Sequence, residues 1–426
     1  MQIAVAGNSP MDNADGSFRG WWMVLVAMVG LGLCLGTTLH YTFGVFAKPL
    51  GEVFGVNRGS IALSIAIMNI MVTLCSPLMG RLSDRFGGRR VIGTAIIGNA
   101  LCIMGMSFLE PPLWHLYALY ALAGVTGAGA APVTYARVVA SWFDRKRGLA
   151  LGLANVGIGV GAFVMPSLAQ FLIDEAGWRR AYLVIGILPL ALAAPLVWFF
   201  FGEMPREERA APEPLRGPGP GEGAAAAGMT LREALRTRTF WLLCGVFGGV
   251  SACANGVIAH LVPMLTDQGI TARDAALATS MFGAATIVGR VGAGYLVDRF
   301  FAPRVAALLF AGAVAGLAVL WKGGLHGIAI YIPAGLIGLT LGAEGDVMPF
   351  LVSRYFGMRS MGALFGIAFG FYTLGAASGQ YLFGVGFDAT GSYRFPLACG
   401  MGVLLVSILG ALGLGQYRRA EGGAVQ

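Results

Sequence analysis

The chain has 426 residues, of which 57% are hydrophobic and 12% charged, with a formal net charge of +8 at pH 7. Soluble domains carry about 25% charged residues, so this composition excludes an ordinary soluble enzyme or binding module. It is the composition of a chain that crosses a lipid bilayer many times.

Residues 1–18 are polar and lack a basic-then-apolar pattern, so they read as a cytoplasmic tail, with the first helix acting as its own insertion signal. Twelve apolar segments follow, at 21–47, 59–80, 91–109, 113–141, 148–173, 178–201, 239–265, 274–297, 304–322, 325–353, 361–387 and 394–416. Each is about as long as the roughly 20 residues a helix needs to cross a hydrocarbon core of about 30 Å. Backbone groups in lipid need internal partners and these segments are too long for barrel strands, so the expected fold is an all-α membrane protein. Gly148 and Gly152, Gly157 and Gly161, and Gly362 and Gly366 have the spacing that lets helix backbones approach closely.

Between the sixth and seventh segments the composition changes. Pro212–Gly228 is rich in Pro, Gly and Ala and cannot bury enough apolar surface to fold. Leu231–Arg238, with Arg232, Arg236 and Arg238, reads as a short amphipathic helix on the inner membrane face. The expected organisation is a tail (1–18), a six-helix bundle (19–201), a cytoplasmic linker (202–237), a second six-helix bundle (238–417) and a tail (418–426).

The two halves repeat one another. Gly80-Arg81-Leu82-Ser83-Asp84-Arg85-Phe86 returns 214 residues later as Gly294-Tyr295-Leu296-Val297-Asp298-Arg299-Phe300. Internal repeats in a polytopic protein mark a secondary transporter, with its substrate site between the repeats near mid-membrane. With a cytoplasmic amino terminus, 20 of the 29 Lys and Arg residues fall on the cytoplasmic side. The positive charge therefore reports topology and gives no ground for a nucleic-acid partner. All six cysteines lie inside apolar segments and read as small packing residues. No nucleophile–base pair, metal cluster or phosphate-binding loop is visible, so no enzyme activity, metal or cofactor is expected.

The loop Gly80-Arg81-Leu82-Ser83-Asp84-Arg85-Phe86-Gly87-Gly88-Arg89-Arg90, with its weaker copy from Gly294 to Arg304, resembles the signature of the major facilitator superfamily. The resemblance covers nearly the whole chain and implies twelve transmembrane helices in two pseudo-symmetric six-helix bundles. Gly80 permits close packing there, and Asp84 can cap a neighbouring helix or pair with an Arg. Asp84, Arg85, Asp298 and Arg299 thus form an expected conformational motif; the alternative is a topology determinant alone.

Ser141-Trp142-Phe143-Asp144-Arg145-Lys146-Arg147-Gly148-Leu149-Ala150-Leu151-Gly152-Leu153-Ala154 is similar to a signature that monocarboxylate transporters share with oxalate/formate antiporters. Asp15-Gly16-Ser17-Phe18-Arg19-Gly20-Trp21 is similar to the lead-in motif of the monocarboxylate group, with one extra residue. Together these imply a carrier of small organic anions.

An ionised side chain at the centre of a spanning helix costs roughly 2.5–3.5 kcal/mol even on the lenient insertion scale, so the few present carry the functional reading. Arg290 lies eight residues before Asp298, and its repeat-mate is the uncharged Ser76. In the resembled family an Arg of the eighth helix binds the substrate carboxylate, and a guanidinium suits that role because its fork pairs both oxygens. The alternative is permanent pairing with a carboxylate of the tenth segment, Glu344 or Asp346. Two residues apart on a helix, these acids point about 200° apart, so one is expected on the cavity and the other against a neighbouring helix. Glu344, Asp346, His40 and Arg137 are candidates for proton coupling or a gate. Tyr41, Asn255 and Tyr372 are candidates for recognising a substrate's hydroxyl or keto group; helix–helix hydrogen bonding is the alternative for each.

The sequence also departs from the resembled families. Thr286 stands where the monocarboxylate group has an Asp, His40-Tyr41-Thr42 where it has a Lys, and Phe371-Tyr372-Thr373 lacks the Lys of oxalate carriers. His40 or His260 is a possible substitute proton carrier. The expected function is alternating-access transport of lactate- or pyruvate-like monocarboxylates, coupled to protons, in a plasma membrane of the bacterial inner-membrane type. The alternatives are an organic-anion exchanger, a drug exporter or a non-transporting anion sensor.

Overall fold

The computed structural model describes residues 18–143, 147–202, 228–357 and 359–416. In chain order its helices are α1 (Phe18–Gly32), α2 (Phe43–Phe54), α3 (Arg58–Phe86), α4 (Gly88–Gly105), α5 (Trp114–Gly127), α6 (Pro132–Ala140), α7 (Arg147–Leu188) and α8 (Ala194–Phe200). The second half continues with α9 (Leu231–Leu235), α10 (Arg238–Thr266), α11 (Ala272–Arg299), α12 (Ala302–Lys322), α13 (Tyr331–Phe356), α14 (Met361–Thr390) and α15 (Arg394–Gly413). Among the described residues the only β contact is an isolated bridge between Gly228 and Gly357.

Among the described residues eleven stretches are long and apolar enough to cross a membrane. One of them, Leu149–Phe200, runs for 52 residues. At 1.5 Å per residue that is enough helix for two bilayer cores. Gly177 interrupts α7 with φ 81, a left-handed backbone position that glycine takes without steric cost. This stretch therefore holds the fifth and sixth of the twelve expected crossings.

The first apolar segment is not one helix, as its composition predicts, but two joined by a π turn at Gly36–His40. Its threonines supply the reason. Thr37 and Thr38 donate to the carbonyl of Cys34 at 2.9 and 2.8 Å, and Thr42 donates to that of Thr38 at 2.6 Å. Such back-bonding competes with the helical ladder and bends it. The fourth segment is likewise divided by a 3-10 turn at Ala128–Ala130, with Pro132 starting α6. A proline is tolerated there because its missing N–H would be unsatisfied anyway.

Glycines set the closest helix contacts. Methyl groups added at Gly338 and Gly342 on α13 would overlap the carbonyl oxygens of Phe282 and Thr286 on α11, and one at Gly289 would overlap that of Leu339. The backbones of α11 and α13 thus lie against each other, which brings Arg290 beside Asp346. Between the halves, Gly384 on α14 packs on Gly59 on α3, and Gly283 on α11 packs on Ala162 on α7. The short helix α9 carries a capping box between Thr230 and Glu233. Just before it, the amide of Met229 donates to the carbonyl of Phe356 at 2.8 Å.

Candidate functional site

A cavity of about 570 Å³ lies between the halves. The amino-terminal half contributes Tyr41 from the break after the π turn and Leu149, Leu153, Asn155 and Ile158 from α7. The carboxy-terminal half contributes Thr286 and Arg290 from α11, Glu344 and Met348 from α13, and Phe369 and Tyr372 from α14. Most of this wall is apolar, so its few polar groups decide what it can hold.

Arg290 is the cation of the wall. Its Nε lies 3.6 Å from an Asp346 carboxylate oxygen, and the two side chains are 40% and 44% exposed. The pairing is a loose one, and the exposure leaves the guanidinium open to a second acceptor. Its Nη2 also passes over Gly345, 3.2 Å from where a Cβ would stand. Arg290 therefore lies against α13 at Gly345 and Asp346.

Glu344 is unlike Asp346. It lines the cavity yet is only 2% exposed, and neither carboxyl oxygen has a hydrogen-bond partner among the described residues. Two tyrosines share the wall with these groups. Tyr41 is in electrostatic reach of Arg290, and Tyr372 is in reach of both Tyr41 and Glu344. Tyr41 is braced by the ring of Phe282 at 6.3 Å, and Tyr372 stacks on Phe369 at 5.6 Å.

The other residues singled out from sequence lie off the cavity wall. Asn255 is buried in α10 and donates to the Ser251 carbonyl at 2.9 Å, so its amide serves the packing of its own helix while touching His40 and Tyr372. His40 sits in the π turn with its ring 5.6 Å from that of Tyr41, one position short of the cavity. His260 is buried against the Tyr393 hydroxyl and the Gln380 carbonyl, at 3.0 and 2.9 Å. Arg137 is an exposed residue of α6. Gly80 ends in open space; Arg85 and Arg299 lie over the rings of Phe86 and Tyr295. The side chains of Asp84 and Asp298 lie outside the described part of the structure, as do residues 144–146 and 15–17 of the two sequence signatures. Thr286, at the position where the resembled group has an acid, does line the cavity and donates to the Gly283 carbonyl at 2.7 Å.

One feature was not anticipated from sequence. At one face of the bundle the halves are tied by a cluster of charges. Arg58 forks onto Asp267 at 2.6 and 2.9 Å, and Lys48 reaches the same carboxylate at 2.8 Å. Asp388 accepts from the amides of Arg58 and Gly59 at 3.0 and 2.7 Å, capping α3 from the other half. These amides are orphan donors of a helix start, and a carboxylate there also meets the positive end of the helix dipole. Burial opposes ionisation of Asp267, but its hydrogen bonds from Arg58 and Lys48 outweigh that and hold its carboxyl below the usual aspartate value. Two further ties lie between the halves, Asn69 to Gln380 at 2.8 Å and Ser167 to Ser280 at 2.9 Å. The sequence signal was slight: opposite charges at the ends of apolar segments, with nothing to say which would meet.

A helical bundle closed at one face around a polar-ended cavity is the arrangement of an alternating-access carrier. The family profile described as Major Facilitator Superfamily matches residues 26–380. The chain belongs to that superfamily. It is accordingly an integral membrane transporter and not an enzyme. Monocarboxylate transporter 13 of Bos taurus is 28% identical over 399 residues, covering 92% of this chain and 89% of that protein. Monocarboxylate transporter 11 of Mus musculus is 28% identical over 313 residues, covering 73% of this chain and 66% of that protein's length. YcxA of Bacillus subtilis (strain 168), an uncharacterized MFS-type transporter, is 26% identical, covering 89% and 91%. Among solved structures, a bacterial homolog of the human lysosomal transporter Spinster, inward-facing and unoccupied, superposes with a TM-score of 0.71 at 16% identity, covering 93% of this chain and 96% of that one. A point mutant of the nucleoside transporter NupG gives a TM-score of 0.73 at 10% identity, covering 93% and 100%. At these identities the two structures speak for the fold alone.

Proposed function

We propose that this protein is a proton-coupled carrier of small monocarboxylates. The observation that carries the proposal is the half-exposed Arg290 on the cavity wall, paired loosely with Asp346. A substrate carboxylate competes with Asp346 for one guanidinium, and a bidentate fork favours an acceptor free to align with it. Two carboxylates then crowd a single cation in a partly desolvated cavity, and one proton relieves the repulsion. The displaced Asp346 takes that proton, so anion and proton are loaded together. Tyr41 and Tyr372 offer hydroxyls to the remainder of the substrate.

The excess of Lys and Arg in the linker, in the loops after α3 and α6, and in the carboxy-terminal tail assigns those regions to the cytoplasm. The charged cluster at Arg58 then closes the external side and the cavity serves the internal one. The resemblance of the relatives named monocarboxylate transporters supports the substrate class.

Uptake of labelled lactate and pyruvate into proteoliposomes tests the proposal, with and without an inward proton gradient. The expected result is gradient-driven uptake that falls about tenfold or more in Arg290→Gln, since a charge-assisted hydrogen bond to the substrate is lost. Uptake that appears only after the lumen is preloaded with an organic acid would instead establish exchange. No transport by folded protein in either format would overturn the proposal.

A further inference from the structure

The cavity has a second end that a simple monocarboxylate does not use. Glu344 lines it, is 2% exposed, and has two carboxyl oxygens with no partner among the described residues. A buried carboxyl without partners is costly in either protonation state. Ionised, it is an uncompensated charge in a desolvated site. Protonated, it loses the charge, yet its O–H still lacks an acceptor and its second oxygen still lacks a donor. The missing element is therefore a group that brings donors as well as positive charge.

The charges of the site lead to the same requirement. Arg290 and Asp346 already pair with each other. A bare carboxylate on Arg290, with Asp346 protonated, still leaves Glu344 without a partner. An ammonium on the same molecule supplies one. Arg290 lies across Gly345 on the same helix as Glu344, with Tyr41 and Tyr372 in electrostatic reach of the two ends. At about 570 Å³ the cavity is also much larger than a three-carbon acid requires.

We infer that the preferred substrates are zwitterionic monocarboxylates, amino acids in the broad sense, with the carboxylate on Arg290 and the ammonium on Glu344. Glu344 is then the specificity-determining residue of the cavity. This inference rests on the carboxylate-binding role of Arg290 proposed above.

The test compares paired ligands on the purified full-length protein in detergent by ligand-induced thermal stabilisation. The panel sets alanine, β-alanine, 4-aminobutyrate and 5-aminovalerate against propionate, butyrate and valerate. At least one amino member is expected to bind about tenfold or more tightly than its counterpart of equal length, the value of one charge-assisted hydrogen bond. In Glu344→Gln that advantage is expected to vanish, the amino members binding no more tightly than their plain counterparts. Equal binding of amino and plain acids to the unaltered protein, a comparison that needs no variant, would overturn the inference and leave the carboxylate reading standing. So would an amino preference that survives Glu344→Gln. Failure of both ligand classes to bind would overturn the inference together with the reading beneath it, and loss of both classes in Arg290→Gln is the result that keeps that reading intact.

Discussion

In the proposed cycle Arg290 serves two acceptors in turn, and Asp346, its partner in the structure, is the one it releases. Replacing Asp346 with Asn keeps the shape of the pair and removes its ability to carry a proton. The expected outcome is that lactate uptake no longer rises with an inward proton gradient, a loss of about tenfold or more, while exchange of internal for external substrate persists because it needs no net proton movement. Parallel gradient-driven and exchange assays on Asp346→Asn check this, and equal loss of both would assign the residue to folding or binding instead. Arg290, Glu344 and Asp346 were legible from sequence because an ionisable group inside an apolar segment is too costly to be incidental. Their different surroundings were not legible. Burial of Glu344 and exposure of Asp346 depend on where α13 turns against its neighbours, and sequence spacing gives only the angle between the two.

Among the helices, the contact between α11 and α13 positions the whole site. Gly342 permits it, because a Cβ there would overlap the Thr286 carbonyl. Gly342→Ala is therefore expected to force the helices apart, to cost about 1–3 kcal/mol, and to weaken ligand binding by separating Arg290 from α13. Thermal unfolding in detergent and ligand-induced stabilisation measure the two effects separately. Asn255 shows where element-level reading of the repeat misled. The repeat equates it with Tyr41, but α10 is continuous from Arg238 to Thr266, whereas the matching segment is broken by its π turn and threonine back-bonds. An added residue in a helical turn rotates everything beyond it, so equivalent positions in sequence point in different directions. The twelve crossings were legible because span length is imposed by the bilayer. The breaks at Gly36–His40, Ala128–Ala130 and Gly177 were not, since hydropathy does not register backbone geometry.

Across the whole molecule, the cluster of Lys48, Arg58, Asp267 and Asp388 ties one half to the other at a single face. Each part is exposed enough to be worth only about 1 kcal/mol, the scale of a helix cap or a well-aligned surface pair. That is still about a fivefold change in the ratio of two conformations. Asp267→Asn and Asp388→Asn are each expected to shift the population away from closure at this face. Amide hydrogen exchange of peptides spanning residues 54–62 and 385–397 reads the shift as faster exchange. Because Asp267 is held below its usual value, its contribution is complete above the ordinary aspartate pKa of about 3.9 and is lost as pH falls through the lowered one. Near neutral pH the closure at this residue is thus insensitive to acidity.

The wall of that cavity has a lopsided construction. Its guanidinium, Arg290, and its carboxyl, Glu344, come from α11 and α13, while the amino-terminal half supplies Tyr41, Asn155 and a surface of leucine, isoleucine, valine and glycine. In the proposed carrier the carboxy-terminal half alone meets the charge of a guest, while both halves meet its bulk. Replacements among Leu149, Leu153, Val156 and Ile158 can resize the chamber without altering its charge. A carrier built this way can broaden or narrow its diet by changing one half while the chemistry of recognition stays fixed in the other.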